Sequence, residues 1–273
     1  MNVTKMHGAR NDFVIVDRRG DGRAGLARFA KWACDRRAGI GADGVIAIES
    51  SSVADARMRT INADGSEAEM CGNGVRCAAR WLDEAGEGAN VTFETEAGLI
   101  ATEIVSRGAE YAVRVAMGHP RITPLSSFVL RQAQDDSAQD DNGGWFVDLG
   151  NPHVVLVRSG VDDVDLESVA EEFQKDSRFP DGTNVHVAAL EGPRTIRVAH
   201  WERGVGLTMA CGTGAVACAA VAIASGTAAS PIEVLVPGGR LVVEWDGTGN
   251  AYLTGPAVRV FDTEVDVDHE PAP

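Results

Sequence analysis

Three things are scarce in this chain, and each scarcity excludes a class of function. Cations are the first: 25 Lys and Arg face 40 Asp and Glu, a formal net charge of −15, and no block of basic residues offers a local exception. Such a surface repels phosphate backbones, which argues against nucleic acid as a partner. Long apolar runs are the second. The longest, Ala215 to Ala224, has 10 residues, about half of the roughly 20 needed to span a bilayer. The amino terminus, MNVTKMHGARNDFVIVD, has no basic start, apolar core or small-residue cleavage site, so no export signal is read and a cytoplasmic chain with no membrane partner is expected.

Cysteine is the third. Cys34, Cys71, Cys77, Cys211 and Cys218 are too few for a disulfide scaffold in 273 residues, and cytosolic thiols are normally reduced. No CxxC or HxxxH pairing suggests a metal site; without GxxxxGK(S/T) a P-loop is excluded, and with GIGADG not read as GxGxxG a nucleotide cofactor has little support. Chemistry or packing must account for the thiols.

What is present is patterned. Met1 to Asp17 predicts a strand, a turn containing Gly8 and Asn11, and a buried strand at Phe13 to Val16. Leu26, Phe29, Ala30 and Ala33 predict a helix over Leu26 to Arg37. Gly39, Gly41 and Gly44 make a loop before a strand at Val45 to Ile48, and Met58 to Ile61 is a further short strand. A helix follows Cys71 and is capped at Gly86, with strands at Val91 to Glu94, Leu99 to Val105 and Tyr111 to Ala116. The polar stretch Arg131 to Gly144 reads as a surface loop, and the end of the acidic tail after Val260 is expected to be loose.

A shift of 140 residues lays the chain on itself. Asn11 falls on Asn151, Arg57 on Arg197, Cys71 on Cys211, Gly86 on Gly226 and Gly98 on Gly238, and NDFVIVD overlays NPHVVLV. Two topologically similar halves are expected, each with one helix beginning at a cysteine and wrapped by short strands. Ala215 to Ala224 is apolar on every side, which suits a helix buried all round.

A lone cysteine in a helix is usually a small buried hydrophobe, and Cys34, Cys77 and Cys218 fit that description. Cys71 and Cys211 differ, because each stands directly before Gly-x-Gly at a helix start. There, unpaired N–H groups and the dipole favour thiolate and also form a cradle for a carboxylate. Two such thiols facing each other suit reversible proton transfer at carbon, one removing a proton while the other delivers one. A non-catalytic binding or thiol-redox protein is the alternative from another class.

KMHGARNDFVIVD, NADGSEAEMCGNGVRC, GNPH, ERGVG and ACGTGA, in this order, closely resemble the diaminopimelate epimerase family over nearly the whole chain. The resemblance implies an α/β (α+β) fold of two pseudo-symmetric domains, each a β-barrel-like sheet around a central helix, with the active site between them. Residues 1–117 with a returning strand in 257–273 would form one domain and 118–256 the other. It implies interconversion of LL- and meso-2,6-diaminopimelate, in lysine and peptidoglycan precursor biosynthesis, with no cofactor and no metal. Cys71 and Cys211 take the catalytic positions. Asn11, Asn62, Gly72, Asn73, Asn151, Asn184, Glu202, Arg203, Gly212 and Thr213 take substrate-binding ones, and His153 and Glu202 those that tune the thiols. A homodimer is implied too.

The chain departs from the family pattern at four places. Gly44 stands where many members carry Gln, Leu207 where GETxACG is common, and Phe261 where some members place Tyr at a dimer interface; the loop at 131–144 is enlarged.

Overall fold

A computed structural model describes residues 1–20, 25–68, 70–128 and 144–266. The chain divides into two compact units, Met1–Ala116 with the segment from Thr254 onward, and Met117–Leu253.

The first unit runs β1 (Asn2–Gly8), β2 (Asn11–Asp17), α1 (Leu26–Cys34), β3 (Gly44–Glu49), β4 (Ala56–Asn62), β5 (Glu67–Ala68), α2 (Gly72–Glu84), β6 (Asn90–Thr95), β7 (Gly98–Ser106) and β8 (Ala112–Ala116). β1 and β2 form a hairpin whose two corner residues, Ala9 and Arg10, both have positive φ (52° and 66°), a conformation usually left to Gly or Asn. β2 and β3 are parallel, joined through α1. Side chains alternate along a strand, so Val14, Val16, Val45 and Ala47 pack on α1. The alternate residues, Phe13, Ile15, Ile46 and Ile48, are buried on the opposite face, with α2 packed on the sheet. Burial on both faces is why these strands read as unbroken apolar runs.

The second unit runs β9 (Arg121–Pro124), α3 (Leu125–Phe128), β10 (Gly144–Asp148), β11 (Pro152–Arg158), α4 (Leu166–Lys175), β12 (Asn184–Gly192), β13 (Thr195–Glu202), β14 (Gly206–Thr208), α5 (Gly212–Ala224), β15 (Ile232–Val236) and β16 (Gly239–Glu244). The chain returns to the first unit within β17 (Tyr252–Pro256), and β18 (Val258–Glu264) pairs antiparallel with β1. β11 and β12 repeat the parallel pair, with α4 covering Val154, Leu156, Val185 and Val187. Every residue of α5 from Gly212 to Ala222 is buried, the environment its uniform apolarity requires.

The strand registers follow the 140-residue offset. Gly44 pairs with Asn62 across β3 and β4, Ile46 with Thr60, and Ile61 with Glu67; His186 pairs with His200 across β12 and β13, and Trp201 with Leu207. The offset then changes to 141. Arg57 pairs with Glu94 while Arg197 pairs with Leu235, because one extra residue separates α5 from β15. The positive-φ glycine that opens β7, Gly98, therefore corresponds to Gly239 opening β16, and not to Gly238.

Two further expectations are corrected. α1 ends at Cys34 rather than Arg37, because Asp35 turns extended and its carboxylate accepts from the N–H groups of Arg37 and Ala38. β18 runs to Glu264, and the end of the tail, beyond residue 266, lies outside the described residues. Gly39, Gly41 and Gly44 do have the spacing G-x-G-x-x-G, yet they lead from a helix into a strand, the reverse of the order a dinucleotide site needs. α4 carries an ordinary start signal, Asp165 accepting from the Ser168 N–H. The expected loop at 131–144 lies, apart from Gly144, outside the described residues.

Candidate active site

Cys71 and Cys211 occupy matching positions. Each is the extended residue that caps its helix, α2 or α5, and each sulfur accepts a hydrogen bond from the N–H three residues on, Gly74 or Gly214, at 3.4 Å. The first turns, Gly72-Asn73-Gly74 and Gly212-Thr213-Gly214, carry backbone N–H groups that lack a carbonyl partner within the helix, as at any helix start.

In the first unit, polarity is imposed by charge. Arg76 is fully buried in α2, donating to Pro256 O (3.1 Å), Gly72 O (3.3 Å) and Asn73 Oδ1 (2.8 Å). Burial lowers its pKa to about 10, but a guanidinium only donates. Asn73 Nδ2 therefore points to Asn11 Oδ1 (3.1 Å), and Asn11 Nδ2 to the Asp43 carboxylate (2.8 Å). Asn11 Oδ1 faces Cys71 and accepts its S–H at 3.7 Å. Asp43 is anchored by Arg36 (2.7 Å), which also bonds Asp12, as does Lys5. Burial raises the Asp12 pKa, but Arg36 and Lys5 overcome it and hold it down at about 2. Asn62 is not in this set; its side chain donates to Ser66 Oγ (2.9 Å) at the end of β4. Gly44 lies opposite it with its backbone close to Ile61 O, where a Cβ would fall 2.9 Å away.

In the second unit, neutral groups do the corresponding work. Asn151 Nδ2 donates to Thr213 Oγ1 (3.4 Å), and Thr213 Oγ1 lies 3.6 Å from Cys211 Sγ. His153 Nε2 meets Asn151 Oδ1 at 2.8 Å. Behind it, His153 Nδ1 meets His186 Nε2 and His186 Nδ1 meets His200 Nδ1, both at 2.9 Å. All three rings are buried. Desolvation holds His153 and His200 down at about 3, and His186 well below its ordinary value, so the chain is neutral at physiological pH.

Cys211 itself is only 4% exposed. Burial and the adjoining Glu202 carboxylate raise its pKa well above the usual thiol range, opposed by the Thr213 hydroxyl and the Gly214 N–H. The helix start alone thus fails to make this cysteine a thiolate, contrary to the sequence expectation. Cys34 and Cys77 are pushed up to about 11 and about 12 by burial, and Cys218 is raised as well.

Asn184 ties the distal part of the second unit together, donating to Pro152 O (3.0 Å) and accepting from the Arg203 N–H (3.0 Å). The Arg203 guanidinium donates to Asp181 O (3.1 Å) and is exposed, without an ion pair among the described residues. Leu207, on β14, is 62% exposed.

Sequence reasoning missed His186, His200 and Arg76. A signal for the histidines existed: at the matching positions of the first unit stand Phe13, Ile46 and Thr60 beside His153, His186 and His200. Three polar replacements in one face of one half mark a cluster.

The His186 ring also packs on the helix start. A Cβ on Gly214 would sit 2.5 Å from His186 Cε1, whereas one on Gly74 meets the tip of Ile46 at 2.9 Å. Gly214→Ala is therefore expected to destabilise the protein by about 1–3 kcal/mol, and Gly74→Ala by less, since an aliphatic tip rotates away. Denaturant midpoints of the two variants check the order.

The family model described as diaminopimelate epimerase matches residues 3–123 and 145–260. The chain belongs to the diaminopimelate epimerase family. It is thereby placed among isomerases. The diaminopimelate epimerase of Rhizorhabdus wittichii is 41% identical over 268 residues, covering 96% of this chain and 94% of the relative. That of Desulforudis audaxviator is 41% identical over 280 residues, with 96% and 98% covered. Among solved structures, a Bacillus anthracis phenazine biosynthesis protein of the PhzF family superposes with a TM-score of 0.74 at 20% identity, covering 98% of this chain and 99% of that one. A hydroxyproline epimerase from Agrobacterium vitis, with bound trans-4-hydroxy-L-proline, gives 0.69 at 16% identity, covering 98% and 93%. These likenesses identify the fold as the one this family shares with the PhzF and proline-racemase groups.

Proposed function

We propose that the protein interconverts LL- and meso-2,6-diaminopimelate, with Cys71 and Cys211 as an acid and base pair acting on opposite faces of one α-carbon. The observation that carries this reading is the pair of helix-capping thiols, set in matching frames by a repeated register. One thiolate takes the α-proton while the other thiol delivers a proton, and the roles exchange for the other isomer.

The first-turn N–H groups of Gly72, Asn73, Gly212 and Thr213 hold the reacting carboxylate, where they stabilise the charge it gains as the carbanion forms. Asn11 and Asn151 each stand within two hydrogen bonds of a sulfur and orient the groups around it. The Glu202 carboxylate adjoins Cys211 and disfavours its charge, and His153 reaches the same thiol through Asn151 and Thr213. Arg203, held by Asn184 and Asp181, offers a planar fork to the distal carboxylate. Asn62 and Glu202, which correspond across the repeat, serve the distal centre too.

The reading needs no metal, nucleotide or other cofactor, and it sets the enzyme in cytoplasmic lysine and peptidoglycan precursor synthesis. All five cysteines are free, and among the described residues no helix is long and apolar enough to cross a membrane. Val260 and Phe261, 53% and 43% exposed on β18, suit association with a second copy.

Purified protein given LL-diaminopimelate alone is expected to yield the meso isomer until the two are balanced. Proline, hydroxyproline and glutamate are offered in parallel. Inversion of one of those with diaminopimelate untouched would replace this substrate assignment with another amino-acid racemase.

A further inference from the structure

The three buried histidines form a chain whose direction can be worked out. Among the described residues, His200 Nε2 is enclosed without a hydrogen-bond partner. A proton there would be an orphaned buried N–H, which folded proteins rarely tolerate, whereas an unused lone pair costs less. His200 therefore carries its proton on Nδ1 and donates to His186 Nδ1. His186, with that nitrogen accepting, donates from Nε2 to His153 Nδ1, and His153 donates from Nε2 to Asn151 Oδ1. This fixes which way the Asn151 amide faces, a choice that its own shape leaves open. Nδ2 then points at Thr213 Oγ1 and occupies a lone pair. The Thr213 hydrogen is left for Cys211 Sγ.

The first unit sets the contrast. There Asp43 anchors Asn11 so that a carbonyl oxygen faces Cys71 and takes its hydrogen. At Cys211 the adjoining Glu202 carboxylate likewise disfavours charge on the sulfur, but the side-chain network adds what the first unit lacks, a hydroxyl hydrogen aimed at the sulfur. Phe13, Ile46 and Thr60 fill the histidines' places in the first unit, so packing alone does not call for imidazoles. Nor do the rings converge on an ion, since four of their six nitrogens are paired ring to ring at 2.9 Å and a fifth, His153 Nε2, meets Asn151 Oδ1.

We infer that His186 and His200 are positioning residues, which act through His153, Asn151 and Thr213 to hold a hydroxyl hydrogen on the Cys211 sulfur and so favour its thiolate. The inference rests on the catalytic reading of Cys211, but part of its test does not.

In the wild-type protein, ¹⁵N NMR of the imidazoles needs no substrate. It should show His200 as the Nδ1–H tautomer and both His186 and His153 as Nε2–H. A proton on Nε2 of His200 reverses the chain and overturns the inference whether or not the protein turns over diaminopimelate. The kinetic arm uses His200→Leu, which deletes the donor, and His200→Asn, whose amide N–H falls where Nδ1 was. His200→Leu should lower kcat about tenfold, the loss of one hydrogen bond to a charged group, with KM changed less than about twofold and the acid limb of the pH profile moved up. His200→Asn should restore most of kcat. His186→Ile, which carries the first unit's own residue, should behave as His200→Leu does. Equal kcat in all of these variants, or a loss that His200→Asn shares in full, would show the histidines to be packing only.

Discussion

Cys71→Ala and Cys211→Ala are each expected to lower epimerase turnover by about 10³-fold or more, within the range for loss of a positioned acid or base. Each variant should stay folded. The sulfur caps its helix through a single long contact to Gly74 or Gly214, so its removal should cost about 1 kcal/mol, the lower part of the capping range. The backbone groups of α2 and α5 that hold the carboxylate remain, so substrate affinity should change far less than turnover. Initial rates with each isomer, alongside denaturant midpoints, check both halves of this statement. Near-normal turnover by either folded variant would remove that cysteine from the mechanism.

The second large effect concerns acid. His153, His186 and His200 are neutral when folded, with desolvation holding two of them at about 3 and the third well below 6.5. In the unfolded chain each titrates near 6.5. Between that value and about 3 the unfolded chain binds more protons than the native one, so stability is lost as pH falls through this window. The limiting slope is about 1.4 kcal/mol per pH unit for each histidine, hence about 4 kcal/mol per unit for three. Against a typical total of about 5–15 kcal/mol, the protein should unfold on going from pH 7 to about pH 4.5. Asp12, held at about 2 by Arg36 and Lys5 against its burial, adds a further loss below its ordinary 3.8. Urea midpoints measured at steps of pH check the prediction. The variant His153→Phe with His186→Ile and His200→Thr, which copies the first unit, should flatten the dependence above pH 4.5. A wild-type midpoint unchanged between pH 7 and 5 would mean that the histidines are not held neutral in the native state.

Much of this architecture is legible in the sequence, for identifiable reasons. The Cys-Gly-x-Gly pair and the constant offset survive because helix starts and strand registers are tied to chain position. α5 declares its burial because it has no polar face. Arg76 is hidden for the opposite reason: an arginine one turn into a helix reads as solvated, and only the structure shows three carbonyl oxygens converging on it. His186 and His200 meet across β12 and β13, and a contact between strands leaves no periodic trace in either one. The displacement of Gly98 onto Gly239 turns on one residue in a loop. The state of Cys211 needed the same kind of information, because burial and Glu202 outweigh a helix start that the sequence does reveal.

The central claim is that two different cysteines hold the outgoing and incoming protons. It is tested most directly by incubating the enzyme with LL-diaminopimelate in D₂O and analysing both isomers before the reaction has advanced far. With two bases, the meso product carries deuterium at the inverted α-carbon from the first turnover, while recovered LL substrate carries none. Early deuterium in the recovered LL isomer, or protium retained at the inverted centre of the product, would contradict it.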